Sequence, residues 1–134
     1  MAEQSPSQVI NDWVAAAKSA TKENAQNVAK TIAGYYTSDA VLCATPEGII
    51  KTRTDIENDY AQNFGAGYVL TGISNQSINP GKDQDWAWAY GQWTGTFQGT
   101  LTGYWSILLV NQGTSNQANW LIQQHTIVTN LPSS

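Results

Sequence analysis

The sequence of 134 residues has little charge. Charged side chains make up 12% of it, against the ~25% that is typical of soluble domains. The net charge is −4, and Arg53 is the single arginine. Nucleic-acid binding needs clustered lysine and arginine, so this composition argues against a nucleic-acid partner. It also argues against a phosphate site lined by arginines.

Several other features are scarce. Cys43 is alone, so no disulfide forms within the chain, and we interpret it as a small buried hydrophobe. No segment approaches the ~20 apolar residues of a membrane span, so we expect no membrane partner. One histidine and scattered carboxylates offer no metal-ligand cluster, and no glycine loop of the phosphate-binding kind opens a helix, so we expect neither metal nor cofactor. The start lacks a signal-peptide pattern, which leaves the localisation open between the cytoplasm and export to the periplasm with the signal peptide absent.

Aromatic residues are concentrated at positions 85–112, which we interpret as a long β-hairpin without a polar face. With Gln98 and Gly99 as the turn, Trp93 opposes Tyr104. Alternation then predicts one face with Ala87, Ala89, Trp93, Tyr104, Leu108 and Val110, and another with Trp86, Trp88, Tyr90, Trp105, Ile107 and Leu109. A sheet with one wet face alternates apolar and polar residues. We therefore expect both faces to be covered, one by a pocket and the other by a second copy of the chain.

Helical periodicity precedes the hairpin. Helix signals begin at Ser5, continue along an inner face from Ala25 to Tyr36, and recur at Ile56 and Phe64. Short strands are predicted at 40–44 and 49–51, and a last strand at 120–128. This order predicts a single α+β domain over residues 1–134, with three N-terminal helices packed on an antiparallel sheet. Glycines recur every four residues from 91 to 103, and they predict that the sheet curls beneath the helices.

Three segments resemble the NTF2-like superfamily, whose fold is also described as cystatin-like. Residues 35–42 look like its Y-x-x-D-A-x-hydrophobic entry to the first strand, and residues 46–53 resemble its P-x-G-x-x-x-G-R turn, with Thr52 where the family often has glycine. Residues 119–126 resemble its W-x-I-x-x-H-S strand, nearest the subgroup related to the calcium/calmodulin-dependent kinase II association domain. The resemblance implies a cone of three helices on a curved sheet. It leaves the function open, because this fold hosts many activities.

The resemblance to SnoaL-like cyclases and ketosteroid isomerases bears on catalysis. It implies a carboxylate base near positions 44 and 45, where this chain has Ala44 and Thr45. Glu47 is adjacent, but we expect the turn to point it to solvent. Asp55, Glu57 and Asp59 are interpreted as a solvated face of the third helix.

Two candidates for catalysis remain, each with a structural alternative. His125 is the only histidine, and it is interpreted either as an acid, base or ligand partner in the cone or as a strand histidine bonded to a neighbour. Asp39 is interpreted either as a catalytic carboxylate or, with more support, as the cap of a turn.

The sequence supports three functional hypotheses. The first is a protein that binds a small apolar or aromatic molecule in a pocket, the second is a SnoaL-like or ketosteroid isomerase-like enzyme that uses His125, and the third is a non-catalytic assembly module. The predicted pocket residues are Trp13, Tyr36, Phe64, Trp93, Tyr104 and His125. The predicted partner is a second copy, in a homodimer through the outer sheet face.

Overall fold

The computed structural model of the chain describes residues 5–45, 47–81, 85–114 and 117–130. The helices are α1 (Pro6–Lys18), α2 (Ala25–Ala33) and α3 (Arg53–Ala66). The strands are β1 (Tyr36–Ala44), β2 (Gly48–Lys51), β3 (Val69–Pro80), β4 (Trp86–Thr96), β5 (Thr100–Asn111) and β6 (Trp120–Thr129). The α+β architecture predicted from the sequence is confirmed, with the helices on one curved sheet.

Local sequence signals set the helix ends. The Ser5 side chain accepts a hydrogen bond from the backbone N–H of Gln8 and caps α1. The Thr52 side chain accepts a hydrogen bond from the backbone N–H of Asp55 and caps α3. The φ angle of Thr52 is +75°, in a region that favours glycine. This backbone conformation explains why the NTF2-like motif that the segment resembles often has glycine at this position. Pro46, in the same motif, lies outside the described residues.

The sheet has the strand order β2-β1-β6-β5-β4-β3, and its pairing is mixed. β1 pairs with β6 in parallel, whereas the sequence predicted an antiparallel sheet throughout. The prediction failed because β1 pairs with a strand about eighty residues further along the chain, which a local pattern cannot reveal. β1 also starts earlier than predicted: Tyr36, expected on the second helix, and Asp39, expected in a loop, both lie in this strand.

The predicted register of the β4–β5 hairpin is wrong by one residue. The turn contains Phe97, Gln98 and Gly99, and Trp93 pairs with Gly103. A shift of one residue moves every side chain of β5 to the opposite face. The inner face therefore combines the alanines of β4 with Trp105, Ile107 and Leu109, and the outer face carries Trp86, Trp88, Tyr90, Tyr104, Leu108 and Val110.

Glycines on the inner face of this hairpin make room for indole rings. Gly91 pairs with Trp105, and a Cβ at Gly91 would lie 2.9 Å from the Trp105 ring nitrogen. Gly103 pairs with Trp93, and a Cβ there would lie 2.5 Å from the Trp93 ring nitrogen. A side chain at either glycine would collide with these rings, so the glycines leave space for two tryptophan rings on the concave face.

A bulge in β6 aligns its inner side chains. Leu108 pairs with Gln124 and Leu109 pairs with Ile122, so residue 123 is an extra residue in the ladder. Without a bulge Trp120 and His125 would point to opposite faces, but both are buried here, at 6% and 4% exposure. The bulge thus brings His125 to the side of the sheet that the helices cover.

Candidate functional site

A cavity of about 170 Å3 lies between the helices and the concave face of the sheet. α1 contributes Trp13 and α3 contributes Tyr60 and Phe64, while strands supply most of the remaining wall. The lining is mainly aliphatic and aromatic. A mainly apolar cavity with a few polar groups in its wall is the usual form of a site for a small organic molecule.

One wall of the cavity contains a buried polar cluster centred on the hydroxyl of Tyr36. Trp13 Nε1 donates a hydrogen bond to this hydroxyl over 3.2 Å, the Tyr60 hydroxyl lies 3.0 Å from it, and His125 Nδ1 lies 2.7 Å from it. Arg53 Nε donates to the backbone carbonyl of Tyr36 over 2.9 Å and holds the start of β1 in place. We call Trp13, Tyr36, Tyr60 and His125 the buried cluster.

The proton positions in the buried cluster follow from donor and acceptor strengths. A phenol is a better donor than a neutral imidazole N–H, and an imidazole nitrogen is the better acceptor. The Tyr36 hydroxyl therefore donates to Nδ1 of His125 and accepts from Trp13 and Tyr60. The ring proton of His125 is then on Nε2. This arrangement satisfies all three contacts at the Tyr36 oxygen.

Burial keeps the cluster neutral. It lowers the pKa of His125 to about 3, and it raises the pKa values of Tyr36 and Tyr60 above the ordinary tyrosine value. A base with so low a pKa takes up almost no proton at neutral pH, so His125 is poorly suited to general base catalysis. It is suited to hydrogen bonding with an uncharged ligand group, since it lines the cavity.

The open end of the cavity carries two carboxylates. Glu47, at the turn between β1 and β2, and Asp59, on α3, both line the cavity, and Glu47 is exposed. The Asn63 amide donates to Glu47 Oε1 over 3.2 Å and to Asp59 Oδ2 over 3.3 Å. Partial burial raises the pKa of Asp59 to about 7, with further contributions from the hydrogen bond and the negative charge of Glu47. We call Glu47, Asp59 and Asn63 the carboxylate cluster.

Most of the predicted pocket residues lie at the cavity. Trp13, Phe64, Trp93 and His125 line it. Tyr36 is fully buried behind this wall and acts on the cavity through its contacts with Tyr60 and His125.

Two predicted site residues lie elsewhere. Tyr104 is on the outer face of the sheet with 51% of its side chain exposed, because the register of the hairpin differs by one residue from the predicted one. Asp39 is exposed in β1 and accepts a hydrogen bond from the Thr37 hydroxyl over 3.0 Å, outside the cavity. Asp39 therefore lies within a strand and not at the turn that it was interpreted to cap, and it does not line the cavity.

The carboxylate cluster was missed by the sequence analysis, which assigned Glu47 and Asp59 to solvent. A signal for Asp59 and Asn63 was present, because they follow Ile56 by three and seven residues, which is the spacing of the inner face of α3. No local signal existed for Glu47, whose contact depends on how the β1–β2 turn packs against α3.

Two further features, a metal-ligand group and a membrane-spanning helix, are absent from the described part of the chain. It contains no group of three histidine, cysteine, aspartate or glutamate side chains able to hold a metal ion. Within the same residues, no helix is long and apolar enough to cross a membrane.

Comparisons with known proteins establish the fold. No family model and no curated protein sequence matches the chain. An NTF2-like protein of unknown function from Pseudomonas putida superposes with a TM-score of 0.73 at 12% identity, covering 96% of this chain and 86% of that one. A protein assigned as a calcium/calmodulin-dependent kinase II association domain from Xanthomonas campestris gives 0.68 at 16% identity, covering 100% and 95%. A ketosteroid isomerase-like protein from Erwinia carotovora gives 0.63 at 14% identity, covering 94% of both.

Proposed function

We propose that this protein binds a small and largely apolar organic molecule that contains one aromatic ring. The NTF2-like fold around an apolar cavity supports this proposal. The observation that carries this proposal is the cavity of about 170 Å3 next to a neutral histidine. An apolar cavity of about 150 Å3 in another protein accommodates benzene. One substituted ring therefore fits this cavity.

Within this proposal, His125 orients the bound molecule through a hydrogen bond. Its Nδ1 is held by Tyr36 at 2.7 Å, which fixes the ring, and the side chain lines the cavity. A neutral N–H donor in an apolar wall offers a hydrogen bond to any ligand that carries an acceptor such as a hydroxyl or carbonyl oxygen. The role is that of a hydrogen-bond partner, because the low pKa of His125 disfavours proton uptake.

Thermal denaturation with para-cresol, indole and benzyl alcohol tests the proposal. A ligand at 100 times its dissociation constant adds about 2.7 kcal/mol to the free energy of unfolding. We expect at least one of these compounds to raise the melting temperature. Ala17, which lines the cavity from α1, is the position to block: Ala17→Leu fills part of the space and should abolish the shift. Val110→Leu adds methylene volume on the outer face and is the matched control. If none of the compounds stabilises the protein, the proposal is wrong.

A second candidate function is assembly through the outer face of the sheet. Trp86, Trp88, Tyr90 and Tyr104 are 42 to 51% exposed there, and the rings of Trp88 and Tyr90 stack with centroids 5.4 Å apart. No Asp, Glu, Lys or Arg occurs from Trp86 to Asn130, so the face lacks the charges that normally prevent association of sheets. An uncharged aromatic face of this kind is self-complementary, and a two-fold contact would cover it in both copies at once.

The assembly proposal is tested by sedimentation or light scattering at micromolar concentration. We expect a dimer in the wild type and a monomer in Trp88→Glu, because the new charge would lie at the centre of the contact. Gln62→Glu adds the same charge on the exposed side of α3 and should leave the dimer intact. A monomeric wild-type protein would rule this function out, and it would leave the proposed ligand binding untouched.

A further inference from the structure

The carboxylate cluster lies at the open end of the apolar cavity and is held in a defined geometry. Asn63 has one amide group, and it donates to Glu47 over 3.2 Å and to Asp59 over 3.3 Å. The two acids come from different elements, the β1–β2 turn and α3, and both contribute to the cavity lining. Two carboxylates are therefore held side by side where a bound molecule would meet solvent.

No cation among the described residues forms a hydrogen bond with this pair. In the described ranges, neither Glu47 nor Asp59 has a lysine or arginine among its hydrogen-bond partners, and none is among the causes of the raised pKa of Asp59. Arg53, the single arginine of the chain, donates instead to the backbone carbonyl of Tyr36. The sheet wall from Trp86 onward contains no lysine or arginine at all. The negative charge at the open end is consequently available to a molecule from outside.

Near neutral pH a proton on Asp59 partly neutralises the pair. The groups that face Asp59 are Glu47 from the β1–β2 turn, Tyr36 from β1 and the neighbouring Tyr60, and both tyrosines are neutral. Burial and the adjacent Glu47 raise the pKa of Asp59 to about 7, so near neutral pH the pair holds a proton for part of the time. A positively charged group that displaced this proton would gain two carboxylate contacts without needing any rearrangement.

Aromatic rings lie on the same side of the cavity. Tyr60 and Phe64 follow Asp59 along α3 and stack with centroids 5.7 Å apart, and Tyr68 also lines the cavity. The faces of such rings attract organic cations. Carboxylates beside aromatic rings form a site that accepts an ammonium group, while the aliphatic wall beyond them accepts an apolar body.

We infer that the ligand of the cavity is an arylalkylamine or a similar small organic cation, whose ring occupies the apolar cavity and whose ammonium group binds Glu47 and Asp59. This rests on the proposed function, since it names the ligand class of the same site. It also assigns the carboxylate cluster a role in specificity, which neither the fold nor the compared structures specify.

Three probes of the same shape and different charge test the inference. These are 3-phenylpropan-1-amine, 3-phenylpropan-1-ol and 3-phenylpropionate, which share one carbon skeleton, and their dissociation constants are measured by calorimetry at pH 8. We expect the amine to bind at least roughly tenfold more tightly than the alcohol, a difference of about 1.4 kcal/mol, and the anion to bind most weakly. Equal binding of amine and alcohol would overturn the inference and leave the proposed function standing. No binding by any of the three would contradict both.

The pH dependence gives a second readout. With the pKa of Asp59 at about 7, its ionised fraction rises from roughly one tenth at pH 6 to roughly nine tenths at pH 8. The affinity for the amine should therefore rise about tenfold across this interval, while the affinity for the alcohol stays constant. A constant affinity for the amine would contradict the inference.

Substitutions locate the effect. Asp59→Asn and Glu47→Gln should each reduce the preference for the amine to less than about threefold, without weakening the alcohol. Glu47 is exposed, so Glu47→Gln will fold even if Asp59→Asn does not. Asp55→Asn, in the exposed first turn of α3, is the matched control and should keep the full preference. Retention of the preference in Glu47→Gln would remove the basis of the inference.

Discussion

The two polar regions of the cavity differ in how their polar groups are satisfied. In the buried cluster every hydroxyl and ring nitrogen that contacts Tyr36 is uncharged and partnered within the protein. In the carboxylate cluster two acids share one amide, and their charge has no counterion among the described residues. Burial makes charge too costly in the first region, whereas partial exposure tolerates it in the second. We therefore expect the buried cluster to stabilise the fold and the carboxylate cluster to serve the ligand.

The stability contributions of the two clusters should change with pH in opposite directions. The pKa of His125 is lower in the folded chain than in the unfolded chain, so the folded state binds fewer protons below pH 6.5. The pKa of Asp59 is raised from 3.8 to about 7, so the folded state binds more protons in that interval. Between about pH 4 and 6.5 the two contributions to stability oppose each other. The substitutions below separate them.

The largest effect should come from His125 at acid pH. Its contribution is fully present above pH 6.5 and is lost as the pH falls toward about 3, at up to about 1.4 kcal/mol per pH unit. His125→Gln cannot titrate, so its free energy of unfolding should decline less steeply between pH 6.5 and 4. Urea denaturation at four pH values measures both slopes. Identical slopes would mean that His125 is already protonated or is exposed in the folded chain.

The next largest effect should come from the hydroxyl at the centre of the buried cluster. Tyr36→Phe leaves Trp13, Tyr60 and His125 without their common partner, and an unsatisfied buried polar group costs about 1–3 kcal/mol. We expect a loss of about 2 kcal/mol in urea denaturation at pH 7. The adjacent Tyr35→Phe removes a partly exposed hydroxyl and should change stability by less than about 0.5 kcal/mol. Equal effects of the two substitutions would show that the cluster has no special role.

The smallest effect should come from the carboxylate cluster. Because the folded pKa of Asp59 is raised, its contribution is present below about pH 4 and is lost as the pH rises through about 7. Asp59→Asn should therefore raise stability at pH 8, by no more than about 1 kcal/mol because the site is partly exposed. With Asp59 removed, only the opposing slope of His125 remains, so this variant should lose more stability than the wild type between pH 7 and 5. Asp55→Asn should behave like the wild type.

Much of the fold was predictable because it depends on local patterns. Ser5 and Thr52 are caps whose partners lie three residues away, and the inner face of α3 follows helical spacing. The aromatic hairpin was recognisable from its composition and alternation. The resemblance to NTF2-like proteins rested on three short motifs, and the superpositions confirm the fold that it implied.

The candidate site was predictable only in part. The structure places Trp13, Phe64, Trp93 and His125 at the cavity, and for His125 this position depends on a bulge that the sequence could not locate. Tyr104 was misplaced by a single residue of register. The distance along the chain between Glu47 and Asp59 concealed the pair, because charged residues at a turn and on a helix are normally solvated.

The sequence by itself determined the order of the helices and strands, the caps, and a hairpin with two apolar faces, because propensity, spacing and capping act between residues close along the chain. Tertiary structure alone decided the parallel pairing of β1 with β6, the register that turned Tyr104 outward, and the meeting of Glu47, Asp59 and Asn63. Those features depend on which surfaces pack together and on where a turn or bulge adds one residue. The resulting burial then set the protonation of His125 and Asp59, and with it the chemical character of the cavity.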